Sequence, residues 1–276
     1  MHTNNVFNLN RFGLYIRKHL VDNYRLYGMS MVVLFVLVLV VMVTTYFTRG
    51  TINKITDILP MYCIGILFSG MIFTSASFSE FANKPKGVNY LMLPASHFEK
   101  FLTVFLFTTI GFLVIYHIVF YGVYLWMDAI AFSRTQKHML NDLASDRGIT
   151  KTLAFYSCFV WFLLHSIFLL GATCFEKSSF LKTIFLLVIV LFLLYLINTL
   201  FLELFFGSKL QAWNHHVPML LVALKKERTT SGMGYSFDTL VFLPKQMQHI
   251  FAFAGTYLII PFLWVVAYFR LKEKEI

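Results

Sequence analysis

Few residues in this chain have both the type and the setting to do chemistry. Glu203 is the only carboxylate inside an apolar run, Leu200 to Phe206. His117, His165 and Asn198 stand within other apolar stretches. Ionisable and amide groups in such places are functional candidates, because burying them without a partner is costly. Their simplest role is a hydrogen bond between helices, with both histidines neutral. Glu203 is expected to be a carboxylate at interface level, or else a polar group lining a path. Trp213, His215 and His216 lie close together, but no third ligand accompanies the His pair, so no metal site is expected. There is no HExxH, no Ser/His/Asp set, no paired carboxylates and no GxxxxGK[ST] phosphate loop. The chain is therefore expected to have no catalytic residues, no metal and no cofactor of its own. Cys63, Cys158 and Cys174 show no CxxC spacing and are expected to behave as small buried hydrophobes.

The elements that must position these groups follow from composition. Of 276 residues, 58% are apolar and only 13% charged. A soluble domain carries roughly 25% charged residues and cannot hide this much apolar surface. An ordinary soluble enzyme, a disordered chain and a disulfide-stapled module are excluded. The charges are also unevenly placed. None occurs between Arg25 and Arg49, Asp57 and Glu80, Lys100 and Asp128, Lys151 and Glu176, Lys182 and Glu203, or Lys245 and Arg270. Each gap is about 20 to 27 residues, one helical crossing of a bilayer. No gap alternates polar and apolar residues as a membrane β-barrel would. The expected fold is all-α, polytopic, with six transmembrane helices. The second gap, with Pro60, Gly65 and Gly70, is the least apolar, and its small residues permit close helix contact.

Leu9, Phe12, Ile16, Leu20, Tyr24 and Tyr27 recur at helical spacing, with Arg11, Lys18, Asp22 and Arg25 opposite. This pattern predicts an interfacial amphipathic helix ahead of the first span. No cleavable signal peptide is expected. The net charge of +10 is assigned to lipid headgroups, with no nucleic-acid partner. Basic residues divide almost evenly between the two sides. Those flanking the first and last spans favour both termini inside.

The connection after the second span reads SEFANKPKGVNYLMLPASHFEK. Ser96 and Glu99 form a capping-box pattern, so a helix is expected to start there with Pro94 just outside it. The segment Tyr90-Leu91-Met92-Leu93-Pro94-Ala95-Ser96, followed by Glu99-Lys100-Phe101, resembles the LPxS…EK segment of bacterial ABC-2-type transporter permeases. The six-span layout, the N-terminal helix, the long connection before the last span and the basic tail also fit. That resemblance covers the chain in layout and about 12 residues in motif. It implies a cytoplasmic coupling loop that docks on a separate ATPase, with Glu80, Lys84, Lys86, Tyr90, Leu93, Pro94, Ser96 and Glu99 as coupling residues. It further implies an exporter subunit in the bacterial inner membrane, both termini cytoplasmic. Its partners would be an ABC ATPase subunit, a second permease subunit (homo- or heterodimer) and the lipid bilayer. ATP would act only through the ATPase.

The expected organisation is one permease domain, 1–276. It has an interfacial helix at 1–28, a bundle at 29–269, a coupling loop at 79–100, an outer connection at 207–245 and a tail at 270–276. Within the outer connection, Val217 to Leu224 is apolar but too short to span, and a re-entrant or interfacial turn is expected. Two other readings stand beside this one. The first is a non-transporting membrane scaffold or sensor. The second is a membrane-embedded lipid-modifying enzyme, which would need Glu203, His117 and His165 at one depth.

Overall fold

A computed structural model describes residues 7–49, 55–78, 87, 92–135, 147–206, 221–224, 239–242 and 253–274, with scattered positions between 244 and 250. The chain divides into two compact units, 1–180 with 260–276, and 181–259. The first contains α1 (Leu9–Arg49), α2 (Ile55–Ala76), α3 (His97–Leu106), a π-helical turn (Phe107–Gly111), α4 (Phe112–Thr135) and α5 (Arg147–Cys174). Most of α7 (Ile259–Glu273) belongs to it as well. The second contains nearly all of α6 (Ser179–Phe206), two short strands and a π-helical turn at Ala254–Leu258.

Five helical stretches are long and apolar enough to cross a bilayer: Tyr27–Phe47, Ile58–Ala76, His97–Ser133, Tyr156–Cys174 and Ser179–Phe201. The protein is therefore a multi-pass membrane protein of mainly helical fold. The third stretch is 37 residues long because α3, the π turn and α4 run on as one helix past Asp128. A single charge near a helix end reaches the interface by its side chain and does not stop a helix.

The strands modify the all-α expectation. β1 (Leu221–Leu224) pairs antiparallel with β2 (Thr239–Phe242), with Leu221 opposite Phe242 and Leu224 opposite Thr239. The apolar end of Val217 to Leu224 is thus a strand and not a re-entrant turn. Four apolar residues cannot close a membrane helix, whereas pairing satisfies their backbone.

The N-terminal segment also departs from expectation. α1 is one continuous helix of 41 residues, so no separate interfacial element precedes the first span. At 1.5 Å per residue it is about 60 Å long, roughly twice the hydrocarbon thickness. Its proposed apolar stripe is divided. Phe12, Ile16 and Tyr27 are half-buried, while Leu9, Leu20 and Tyr24 are exposed, and the fully buried residues are Tyr15 and His19, which the stripe did not include.

The core of the first unit has two parts. One gathers Leu34, Val38 and Met42 of α1, Ile66 of α2, and Phe112, Tyr116 and Val123 of α4, with Trp161 of α5. The other gathers Phe101, Val104, Leu169, Ala172, Ala267 and Leu271. Two glycines in α2 make the first part possible. A Cβ on Gly65 would lie 2.5 Å from the Tyr116 hydroxyl oxygen, and one on Gly70 would lie 2.6 Å from Trp161 Nε1. The small residues of the second span therefore do serve close helix contact. Tyr116 closes that contact by donating to the Tyr62 carbonyl at 2.8 Å.

Gly65→Ala is expected to destabilise the bundle by about 1–3 kcal/mol through overpacking. The cost should shrink in a Tyr116→Phe background, where the obstructing oxygen is gone. A double-mutant cycle of thermal melts in detergent measures the coupling; equal costs in both backgrounds would show that this contact does not limit packing.

Candidate functional site

The densest polar arrangement sits where the connection between the second and third spans enters α3. Ser96 is the N-cap, and the capping box is complete: Glu99 N–H donates to Ser96 Oγ at 3.2 Å, and Ser96 N–H donates to Glu99 Oε2 at 3.0 Å. This is the local pattern read from sequence. The same carboxylate also binds the start of α1. Arg11 Nε donates to Oε2 at 2.7 Å, Arg11 Nη2 to Oε1 at 2.8 Å, and the Asn8 amide to Oε1 at 2.8 Å. Asn8 in turn caps α1, its Oδ1 accepting from the Asn10 and Arg11 amides at 3.0 and 3.4 Å.

Glu99 is 0% exposed and Arg11 34%. An ionised carboxylate is tolerated at such a depth only when its lone pairs are taken up by donors. Here four N–H groups fill them. The hydrogen bonds to Glu99 hold the Arg11 guanidinium pKa above its ordinary value. The α3 N-terminus adds a favourable dipole for the carboxylate. Lys100, next in sequence, is buried as well.

A second set of contacts keeps α1 against the π turn. His19 and Tyr27 both meet Phe107, with ring centroids 5.4 and 5.7 Å apart, and Tyr27 also meets Phe73 at 5.9 Å. The His19 ring is bridged at both nitrogens. The Asn23 amide lies 3.4 Å from Nδ1 and the Tyr27 hydroxyl 2.7 Å from Nε2. Asn23 donates to Nδ1, which assigns the proton to Nε2 and leaves the imidazole neutral. Burial lowers the His19 pKa from 6.5 to about 4, opposed by Asp22.

The same end of the unit gathers other termini. Phe98 meets Phe7 at 6.1 Å and Tyr268 at 6.3 Å, and Phe101 meets Tyr268 at 5.6 Å. Lys274 lies 3.7 Å from Glu176, an ion pair between the C-terminal segment and the turn after α5. The start of α1, the entry to α3, the end of α5 and the end of α7 thus share one end of the bundle.

The other candidates fall elsewhere. His165 is buried on α5 and donates from Nε2 to Thr108 in the π turn at 3.0 Å, the Thr108 hydroxyl being committed to the Val104 carbonyl. His165 Nδ1 and the nearby Trp264 Nε1 are buried without a hydrogen-bond partner among the described residues, with their rings 6.2 Å apart. His117 joins α4 to α2, accepting from the Tyr62 hydroxyl at 2.7 Å and donating from Nδ1 to the Leu113 carbonyl at 2.7 Å. Both histidines are interhelical hydrogen-bonding groups. Asn198 is half-buried and Glu203 exposed on α6, in the other unit.

Among the coupling candidates, Leu93 is half-buried, Pro94 exposed, and Ser96 and Glu99 form the knot just described. Glu99 is a structural link and not a docking surface, because its lone pairs are occupied within the chain. Glu80, Lys84, Lys86 and Tyr90 lie outside the described residues, as do Trp213, His215 and His216. Among the described residues no group of three potential metal ligands occurs. Cys158 and Cys174 are exposed and Cys63 half-buried, so the expectation of buried thiols fails.

Sequence reasoning missed Asn8, Arg11, His19 and Lys100 as members of this site. Asn8 carried a signal, an Asx residue directly before a helical periodicity. Arg11 was assigned to a solvated face. No family model, no curated protein and no solved structure matches this chain.

Two outcomes test the site. Glu99→Gln sets an amide donor against existing donors, so the start of α1 should detach. Trypsin cleavage after Arg17 and Lys18 should accelerate about tenfold or more; an unchanged rate would show that the knot does not hold α1. Lowering pH should act in the same direction. His19 takes a proton at 6.5 when released and only at about 4 when docked. Docking is thus fully favoured above pH 6.5 and weakens as pH falls from 6.5 towards 4. Cleavage rates, each divided by that of an unfolded reference peptide at the same pH, should rise in the parent protein as pH falls through that window and stay flatter in His19→Gln.

Proposed function

We propose that this chain is the permease subunit of an ATP-driven ABC-2-type exporter, coupled to a separate ATPase through the connection between its second and third helices. The observation that carries the reading is the Glu99 knot. A loop that receives force from a soluble motor must be stiffly joined to the membrane helices it moves. The exit of this loop is joined to two long helices at once, α3 through the capping box and α1 through Arg11 and Asn8.

The convergence of the α1 start, the α3 entry and the α7 end supports an arrangement with both termini on the motor's side. In this reading that side is the cytoplasm of a bacterial cell. The apolar stretch from Lys245 to Arg270, whose described end is the π turn and the 15 residues of α7, is the sixth span. The chain works as a dimer, with itself or with a second permease. It hydrolyses nothing, and ATP enters only through the partner subunit. The alternatives, a scaffold or a lipid-modifying enzyme, lack support of this kind. The two histidines are each committed to hydrogen bonds between helices.

A tagged chain purified from its native membrane should bring down an ATP-hydrolysing protein. Tyr90→Ala with Leu93→Ala should cut that recovery about tenfold without altering the thermal melt of the bundle, since loop side chains at an interface supply such energies. Recovery of no ATPase, while a cysteine at position 79 labels from the cytoplasmic side, would overturn the proposal.

A further inference from the structure

A long apolar groove of about 1110 Å³ runs between α1 and α2, floored by Phe112, Ile115 and Phe120 of α4. On α1 it extends from Arg25 to Thr45. At 1.5 Å per residue that is roughly 30 Å, the thickness of the hydrocarbon layer. Its walls, among them Val33, Leu37, Ile64 and Phe68, are exposed. Its size is slightly above that of ordinary ligand sites, about 300–1,000 Å³.

The groove's polar groups are informative by how they are used. Thr45 donates to the Val41 carbonyl at 2.9 Å, and Ser69 to the Gly65 carbonyl at 2.6 Å. The Tyr27 hydroxyl is bonded to His19 at 2.7 Å. These hydroxyls are turned to their own protein, so the interior suits a hydrocarbon chain. The exception is at one end. Arg25 is exposed, its Nε donates to the Tyr24 hydroxyl at 2.8 Å, and its guanidinium lies 5.6 Å from that ring centroid. No carboxylate among the described residues pairs with it, since Asp22 is paired with Lys18 at 2.7 Å. The groove is thus amphiphilic, with a cation at the level of the membrane interface and an apolar slot beneath it.

We propose that this groove is a binding site for an anionic phospholipid, with its phosphate at Arg25 and its acyl chains between α1 and α2. The inference does not depend on the chain being a permease. Charge favours a lipid over a second copy of the protein. A two-fold axis along the membrane normal keeps each residue at its own depth. A copy seated on the same groove would therefore bring a second Arg25 to the same level.

Native mass spectrometry of the intact chain, titrated with phosphatidylglycerol and with phosphatidylcholine of identical acyl chains, tests the proposal. Phosphatidylglycerol should bind about fivefold more tightly, the factor that corresponds to about 1 kcal/mol for one basic side chain at a lipid surface. Arg25→Gln should abolish that preference and Arg25→Lys should keep it. Leu37→Trp, which fills the slot, should weaken both lipids. The proposal is overturned if the parent protein shows no preference, if Arg25→Gln retains it, or if Leu37→Trp binds as well as the parent. It is equally overturned if cysteines at Val33 cross-link two copies across the groove with no lipid bound, which would make the groove a subunit interface.

Discussion

One buried carboxylate organises the end of this protein that faces the connection between its second and third helices. Glu99 takes four N–H donors from three residues in two chain segments: the Asn8 amide, two nitrogens of Arg11, and the Ser96 amide. A carboxylate with fewer partners would be costly at zero exposure. Because the demand for donors is strict, the arrangement is specific. Shifting α1 by one residue would strand the charge. The knot therefore sets both the starting point and the register of α1 against α3. The contacts of His19 and Tyr27 with Phe107 then follow along the same face.

The two parts of the core differ in kind. Near the knot the buried groups are mixed: Glu99, Lys100, Thr103, Thr108, Thr109, His165 and Ser166 lie among the aromatic rings. Away from it the core is apolar, and its closeness comes from Gly65 and Gly70. Directional bonds such as the four to Glu99 restrict the geometry, because an alternative leaves a donor or acceptor unpaired. Apolar contacts between helices in lipid carry less such discrimination, as the surrounding hydrocarbon is an equivalent partner. One end of the bundle is thus fixed by direction-dependent bonds and the other by shape.

This difference also explains what could be read in the sequence. Five of the six gaps between charges coincide with helices long and apolar enough to cross a bilayer, because the transfer of a charge into hydrocarbon is costly whatever surrounds it. The Ser96–Glu99 cap was legible because both partners lie within one turn. The Arg11–Glu99 pair was not, because 88 residues separate the two and nothing local marks Arg11 as different from Arg17. The face of α1 was misread for another reason. Protein core and lipid are both apolar, so periodicity shows the stripe but not which of the two covers it. Tyr15 and His19 turned to protein, whereas Leu20 and Tyr24 did not. The helix through the π turn ran past Asp128, and the β1–β2 pair formed where only a short apolar run was visible, because pairing needs a partner some 20 residues on.

The knot and the groove share a helix. α1 begins at Glu99's partners and, without a break in its 41 residues, becomes one wall of the slot that ends at Thr45. A displacement at Ser96 that keeps the four bonds intact must carry Arg11 and Asn8 with it. It would move the start of α1 together with that of α3. α2 is held differently, through Gly65, Gly70 and the Tyr116 bond to Tyr62, which tie it to α4 and α5. Both walls share the apolar core, where Leu34, Val38 and Met42 of α1 pack with Ile66 of α2 and Phe112 of α4, and the α1 wall has the loop exit as a second support. A movement of the loop exit relative to that core would change the width of the slot. A lipid that favours one width would, by reciprocity of linked equilibria, bias the position of the loop exit to the same extent.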